Sequence, residues 1–164
     1  MDAVRGNVES FHEVGRGLLN LQSALRELHS FAYLQLSGSA GQGLNTNGFT
    51  KLAVSMSGMS QGVKLDPSQQ RISASQDGFY LAILQLSSKA VVNPTSGQLW
   101  IAINGAGAAL SDSLFRWADA FETSVCNFGI YQLRAGDRVE PYIVTANNTQ
   151  ILVYSAALAV IRLG

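Results

Sequence analysis

Residues 71–86 read RISASQDGFYLAILQL. Two runs with the composition of β-strands, Gln70–Ala74 and Phe79–Leu86, flank the polar triplet Gln76-Asp77-Gly78. Apolar runs of this length, bounded by Asp and Gly, predict two strands joined by a turn. Gly78 suits that turn because it reaches backbone angles that residues with a β-carbon avoid. This stretch therefore favours an all-β fold.

The same rhythm continues on both sides of this stretch. Phe31–Ser37 alternates apolar and polar residues with period two, as a half-buried strand does. Gly38–Gly48 is rich in Gly, Ser, Asn and Gln, and it is predicted to be a loop. Many short strands with little helix between them predict an antiparallel jelly-roll sandwich. Further strands are predicted over Leu52–Met56, Leu99–Ile103, Val125–Leu133, Arg138–Thr145 and Thr149–Leu163, with the last two separated by a turn at Ala146-Asn147-Asn148.

A helical pattern precedes the strands. Six apolar residues recur at alternating spacings of three and four, which is the a/d pattern of a heptad repeat. About two clean heptads are marginal as an isolated coiled coil, so we expect this seam to pack on the β domain or on copies of itself. Residues 1–30 are predicted to be a helical stalk or anchoring segment, and residues 31–164 a jelly-roll head. The predicted oligomer or attachment interface, called the heptad seam below, is Phe11, Val14, Leu18, Leu21, Leu25 and Leu28.

The composition indicates an assembly of subunits. The chain has 164 residues, of which 47% are hydrophobic and 13% charged, and its net charge is zero. A neutral protein with so little charge lacks the repulsion that keeps monomers apart in solution. We therefore expect much of the uncharged surface to be buried between subunits. Nucleic acid is disfavoured as a partner because phosphate binding needs a basic patch, and none is visible; we expect no nucleic-acid partner.

Targeting signals are also missing from the sequence. Met1–Arg5 lacks the apolar region of a signal peptide, and no stretch approaches the roughly 18 apolar residues of a membrane span. We expect synthesis in a cytoplasm and no membrane partner.

The residue types that carry catalysis are sparse. His12 and His29 are the only histidines and both fall in the predicted helix, so a zinc site or a Ser/His/Asp site lacks ligands or a base. Cys126 is the single cysteine, and it is predicted to be a small buried residue of a strand. Asn104–Ala109 is predicted to be a hairpin loop, since it lacks the Lys-Ser/Thr of a phosphate-binding loop. The segment Ser111–Thr123 is predicted to be a polar loop or helical turn with solvated acids at Asp112, Asp119 and Glu122. The sequence predicts no enzyme, no cofactor and no metal.

Four segments carry a family pattern in order along the chain: Arg71–Leu81, Leu99–Gly105, Leu133–Val139 and Ser155–Leu163. Together they resemble the jelly-roll superfamily of tumour necrosis factor and the globular head of complement subcomponent q. The first has the family's strand, polar-Gly-x-Tyr and strand, the second ends in an Asn-Gly turn, and the third follows Leu-x-x-Gly-Asp-x-Val as a hairpin. The resemblance implies a homotrimer, with one inner sheet of each subunit at the interface and an N-terminal stalk on the three-fold axis. It also places Tyr80 in the core with its hydroxyl at a polar edge.

Three functions fit these features. The first is a structural virion protein of a bacteriophage, in the style of a trimeric capsid decoration (cement) protein or short head fibre, bound to the major capsid protein and located in the virion. The second is the receptor-binding head of a tail fibre, recognising a host-surface glycan or protein. The third is a bacterial surface or secreted ligand module of the same fold.

Overall fold

The computed structural model describes residues 31–35, 42–54, 56–91, 95–117 and 122–163. The predicted helix over residues 1–30 and the heptad seam lie outside the described residues. The described part is built of β-strands joined in antiparallel ladders, with one 3-10 turn at Pro67–Gln69. The strands are β1 Phe31–Gln35, β2 Gln42–Lys51, β3 Met56–Gln61, β4 Val63–Asp66, β5 Arg71–Ala74, β6 Gly78–Ala90, β7 Thr95–Ile103, β8 Ala106–Trp117, β9 Thr123–Leu133 and β10 Arg138–Arg162.

Strand β10 pairs with two different sets of strands along its length. Its first half, Arg138–Thr145, pairs with β7 on one edge and with β5 and the end of β2 on the other. Its second half, Ile151–Arg162, pairs with β6 on one edge and with β1 and the start of β2 on the other. The first layer is therefore β9, β6, the second half of β10, β1 and β3. The second layer is β8, β7, the first half of β10, the end of β2, β5 and β4.

A single apolar core lies between the two layers. Alternate residues of each strand are buried, as the period-two geometry of a strand requires. Side chains from both layers belong to one cluster, so the layers face each other as a sandwich. The fully buried members include Tyr80, Leu84 and Leu158 from the first layer and Leu99, Ile101 and Ile143 from the second.

Tyr80 occupies the position that the family resemblance implies. Its ring is fully buried, and its hydroxyl donates a 2.8 Å hydrogen bond to the backbone carbonyl of Gln76 in the preceding turn. The buried phenol is thereby satisfied at the edge of the core, where leaving it without an acceptor would cost about 1–3 kcal/mol.

The predicted turn at Ala146–Asn148 is a register shift within β10 rather than a break between two strands. The ladder with β2 shifts between Thr145 and Thr149, opposite Gly48, whose φ is +66°. Glycine adopts that left-handed conformation without strain, so β2 bends together with β10 and both strands cross from one layer to the other.

Two predictions around β2 were wrong. The predicted loop Gly38–Gly48 contains the start of β2, which pairs with β10 from Gln42 onwards. The predicted strand Leu52–Met56 has its first part, Leu52–Val54, outside any strand, and β3 begins at Met56. The backbone ladder with β10 stabilises β2 despite its Gly- and Asn-rich composition. The buried hydroxyl of Thr46 in β2 accepts a 2.9 Å hydrogen bond from Thr145 Oγ1.

The polar segment between the predicted strands Leu99–Ile103 and Val125–Leu133 was misassigned in part: the predicted hairpin is present, but its loop is shorter than Asn104–Ala109. Asn104 and Gly105, with φ of +55° and +81°, form a tight two-residue turn, and β8 begins directly at Ala106. Ser111–Trp117 is strand rather than polar loop, because β8 pairs with β7. Trp117 is fully buried and donates from Nε1 to the carbonyl of Ser88 at 3.3 Å. Of the predicted solvated acids, Asp112 lies on β8, Glu122 accepts a hydrogen bond from Ser87 Oγ, and Asp119 is outside the described residues.

The Leu133–Val139 turn crosses between the layers and is not a hairpin. It joins β9 in the first layer to the first half of β10 in the second, and Gly136 has a φ of +92°. Asp137 accepts hydrogen bonds from the backbone N–H of Arg134 and from Asn104 Nδ2, both at 2.8 Å. These bonds tie the turn to the β7–β8 turn, and together they hold the pKa of Asp137 below its usual value, the Arg134 N–H contributing most.

We expect the stability contributed by Asp137 to depend on pH. A carboxylate whose pKa is lowered by folding stabilises the fold above its unfolded pKa of about 4, and this stabilisation is lost as the pH falls through the folded pKa. Asp137→Asn removes the charge and keeps the shape. Urea denaturation between about pH 6 and pH 3 should show the variant less stable at the higher pH and a difference that shrinks on acidification. A difference that is constant across this range would contradict the assignment.

Gly129 in β9 is required by its neighbour Tyr131. A β-carbon at position 129 would lie 2.6 Å from Tyr131 Cζ, well inside van der Waals contact, whereas one at Gly43 in β2 would meet only Leu152 Cδ2 at 4.0 Å. Gly129→Ala should therefore displace the Tyr131 ring and lower the free energy of unfolding by about 1–3 kcal/mol. Gly43→Ala is the matched control, which we expect to change stability by less than about 0.5 kcal/mol. Equal denaturation midpoints for the two variants would show that the ring moves without cost.

Candidate interaction surfaces

The outer face of the first layer carries an unusual concentration of apolar side chains. Phe128 and Ile130 on β9 are 70% and 64% exposed, although both are large hydrophobic residues. The register places Phe128 beside Ile83 and Ala159, and Ile130 beside Leu81 and Ile161, in two rows across three strands. The apolar face, as it is called below, consists of Phe79, Leu81, Ile83, Phe128, Ile130, Ala159 and Ile161.

None of the seven residues of the apolar face is charged. The other outward positions of β6, β9 and β10 in the first layer hold Gln, Ser, Ala, Cys126, Leu152 and Tyr154, and the one charged residue among them, Lys89, lies at the opposite end of β6 from Phe79. Contiguous exposed apolar surface of this kind is typical of a protein interface, since monomeric proteins rarely leave it in water. Cys126 is exposed here and is not the buried strand residue that was predicted, because its position in the alternation of β9 is outward.

The apolar face could have been predicted from the sequence of β6, which was predicted only to be a strand. Phe79, Leu81 and Ile83 alternate with Tyr80, Ala82 and Leu84, so β6 is apolar on both of its faces. A strand with that pattern is covered on both sides. One side is the core, and the other requires a second covering surface.

The predicted interface residues of the heptad seam all lie outside the described residues, so their role stays a prediction. The described chain begins at Phe31, which pairs with Ile161 in the first layer. Residues 1–30 therefore connect directly to the layer that carries the apolar face.

The outer face of the second layer holds three aromatic rings in mutual contact. Phe49 stacks on Tyr142 with ring centroids 4.1 Å apart and an interplanar angle of 13°. Trp100 meets Phe49 edge-on, with centroids 5.7 Å apart and planes at 85°. These residues, named the aromatic cluster, come from β2, β10 and β7. The register brings them together, because Tyr142 pairs with Trp100 and Phe49 pairs with Val144.

Polar groups surround the aromatic cluster on the same face. Lys51 Nζ lies 2.5 Å from Glu140 Oε1 and also donates to the carbonyl of Gln69 at 2.6 Å. Trp100 Nε1 donates to Gln98 Oε1 at 3.0 Å. Burial, with the negative charge of Glu140, raises the pKa of the Tyr142 hydroxyl, so this phenol is neutral at physiological pH.

A shallow groove of about 180 Å³ adjoins the aromatic cluster. Gln98, Leu114 and Val144 project into it from three neighbouring strands, and Leu114 is 73% exposed. Phe49, Val144, Gln98 and Leu114 are paired successively across β2, β10, β7 and β8, so the groove continues the row that Phe49 begins.

The part of the chain that the structure describes shows neither a metal cluster nor a membrane-spanning helix. Those residues contain no group of three or more His, Cys, Asp or Glu side chains that could hold a metal ion. They also contain no helix that is both long and apolar enough to cross a membrane. His12 and His29 lie outside the described part, and the predicted absence of catalysis and of a metal stays a prediction.

Comparison with known proteins identifies the fold. No family model and no curated protein matches the sequence. Among solved structures, the Eiger tumour necrosis factor of S. frugiperda is similar over 82% of this chain and 92% of its own, with a TM-score of 0.53 and 11% identity. The globular domain of zebrafish complement 1qA is similar over 82% of this chain and 97% of its own, with a TM-score of 0.57 and 9% identity. At these identities the likeness establishes the fold alone: the chain has an all-β jelly roll of the kind seen in tumour necrosis factor and complement 1q domains, as its four sequence segments predicted.

Proposed function

We propose that the chain is a subunit of a homotrimer that buries the apolar face against two other copies. The observation that carries the proposal is the charge-free surface around Phe128 and Ile130, which are large hydrophobic residues left mostly exposed in a single chain. Burying one such side chain contributes about 1.5–3 kcal/mol, and a trimer repeats each burial three times. The low charge of the whole sequence supports the same conclusion.

A three-fold arrangement also suits the connections of the chain. Rotational symmetry closes a ring when one surface of each subunit meets a different surface of the next. With the first layer turned toward the axis, Phe31 at the start of β1 lies in the layer that faces the axis, so the segment preceding Phe31 joins the head on that side. The heptad seam then extends the buried surface along the axis as a short stalk, or it anchors the trimer to another protein.

We further propose that the trimer is a structural protein of a bacteriophage virion, acting as a capsid decoration protein or short head fibre. The short N-terminal segment with its apolar seam supports attachment to another virion subunit, such as the major capsid protein. The sparse catalytic residue types support a role in binding rather than catalysis. Cryo-electron microscopy of the source particle tests this assignment directly, because it places the protein on the capsid, on the tail or on neither.

The receptor-binding head of a tail fibre and a bacterial surface or secreted ligand module remain the alternative proposals. Both use the same trimer and differ in what the assembly is attached to. A gene beside that of the major capsid protein favours decoration, whereas a gene that follows tail genes favours receptor binding.

Phe128→Asp should dissociate the proposed trimer. A carboxylate placed in an apolar interface without a counter-ion costs several kcal/mol per subunit. Light scattering of the native protein should give three times the chain mass of 17.5 kDa, and that of the variant one chain mass with an unchanged β circular-dichroism spectrum.

Leu114→Asp is the matched control for this experiment. Leu114 is as exposed as Phe128 but lies on the outer face of the second layer, so its replacement should leave the trimer intact. A trimer that survives Phe128→Asp, or a native protein that is monomeric at micromolar concentration, would exclude the apolar face as the subunit interface.

The double substitution Leu21→Asp and Leu25→Asp separates attachment from trimerisation. If residues 1–30 anchor the head, the variant should remain a trimer through the apolar face but fail to sediment with capsids assembled from the major capsid protein of the same genome. Undiminished binding would place attachment in the loops of the head. Loss of the β circular-dichroism signal would instead show that the seam belongs to the core of the head.

A further inference from the structure

The exposed side of the aromatic cluster has the composition of a ligand site rather than of a core. Phe49 is covered on one face by Tyr142 and met edge-on by Trp100, yet 40% of the residue is exposed. Part of the Phe49 side chain is therefore open to solvent beside two other aromatic rings. A phenyl face carries partial negative charge and attracts the polarised C–H groups of a ligand that lies flat on it.

Hydrogen-bonding groups lie around that ring in fixed positions. Lys51 is held in place by Glu140 and by the carbonyl of Gln69, and 25% of its side chain is exposed against 8% of that of Glu140, so Lys51 is the group of the pair that a ligand can reach. Gln98 accepts from Trp100 through Oε1, which leaves the two N–H donors of its amide for a ligand. An apolar surface with a few fixed polar groups is the usual composition of a small-molecule site.

The charges on this face favour an uncharged ligand. The ammonium of Lys51 and the carboxylate of Glu140 are in contact, so their fields largely cancel at the position of a ligand. An anionic ligand would therefore gain little from Lys51. A neutral polyhydroxylated ligand can accept a hydrogen bond from the ammonium, which is the exposed partner of this pair.

We infer that the aromatic cluster and the adjoining groove form a binding site for a neutral saccharide, with one sugar ring packed on the exposed part of Phe49 and its hydroxyl groups bonded to Lys51 and Gln98. A sugar ring has the required chemistry, because its C–H groups form an apolar face and its hydroxyl groups project around the edge. The adjoining groove of about 180 Å³ gives room for part of a neighbouring residue of a short glycan.

The aromatic cluster is held on paired strands. Trp100 and Tyr142 lie on β7 and β10, which are paired on both edges at these positions, so their backbone groups are engaged within the sheet. Rings on rigid strands bind a ligand with a small ordering cost, which a shallow sugar site requires.

The site lies within one subunit, on the layer opposite the apolar face. It therefore depends neither on the proposed trimer nor on the virion role. The Phe128→Asp protein, monomeric or not, should bind sugar as the native protein does, so that failure of one proposal is distinguishable from failure of the other.

Saturation-transfer NMR on the full chain tests the site with named probes: the methyl glycosides of glucose, galactose and mannose, and N-acetylglucosamine. At least one should receive saturation, with the strongest transfer to ring C–H protons on a single face. Phe49→Ala should weaken its binding at least tenfold, while Phe79→Ala, which removes an exposed phenyl ring from the other layer, should leave it unchanged. Circular dichroism shows that both variants are folded.

Each other outcome overturns the inference. Absence of transfer to all four probes at about 10 mM would exclude a saccharide site of useful affinity, since even a weak site with a Kd near 1 mM is mostly filled there. Equal binding by the Phe49→Ala and native proteins would place any sugar elsewhere. Binding of glucuronic acid or sialic acid in preference to the neutral probes would show that the Lys51–Glu140 contact does not select for an uncharged ligand.

Discussion

The shared pairing of β10 is the constraint on which both surfaces depend. Residues Arg138–Thr145 of β10 belong to the second layer and residues Ile151–Arg162 belong to the first. The register of this one strand therefore decides which side chains face the core in both layers. Leu158 faces the core and Ala159 faces outward because of that register. A slip of one residue would exchange them and would also move Tyr142 from the aromatic cluster into the core. The apolar face and the aromatic cluster are thus consequences of one register.

Local patterns predicted the strands that have an apolar alternation and a recognisable turn. Phe79–Leu86 and Val125–Leu133 lie within β6 and β9, and the turn residue Gly136 has the positive φ that its type suggests. The prediction that Gly78 uses such angles was wrong, because Gly78 begins β6 without a positive φ. Strands β2 and β8 were missed because their residues are mostly polar or small. What stabilises them is backbone pairing with β10 and β7. Pairing between segments so distant in sequence leaves little trace in local composition.

The two surfaces were predictable to different degrees. The apolar face follows from the apolar residues on both sides of β6 and from the low charge of the chain. The low charge led to the prediction of an assembly, whereas the pattern of β6 was not used for it. The aromatic cluster had no such signal. Phe49, Trp100 and Tyr142 are about 40–50 residues apart in sequence, and each reads alone as an ordinary strand residue. Their proximity depends on the register of three ladders.

The position of β10 near residue 162 also determines when the chain can fold during its synthesis. The β4–β5 and β7–β8 hairpins and the β6–β9 ladder involve residues that leave the ribosome earlier, but neither layer is complete without β10. About 30 residues separate Phe128 from Leu158, which corresponds to about 1.5–6 s of translation at about 5–20 residues per second. During that interval β6 exposes apolar side chains on both of its faces. The nascent chain is therefore a substrate for chaperones that bind extended apolar segments, and slowing translation over residues 138–162 should increase its aggregation.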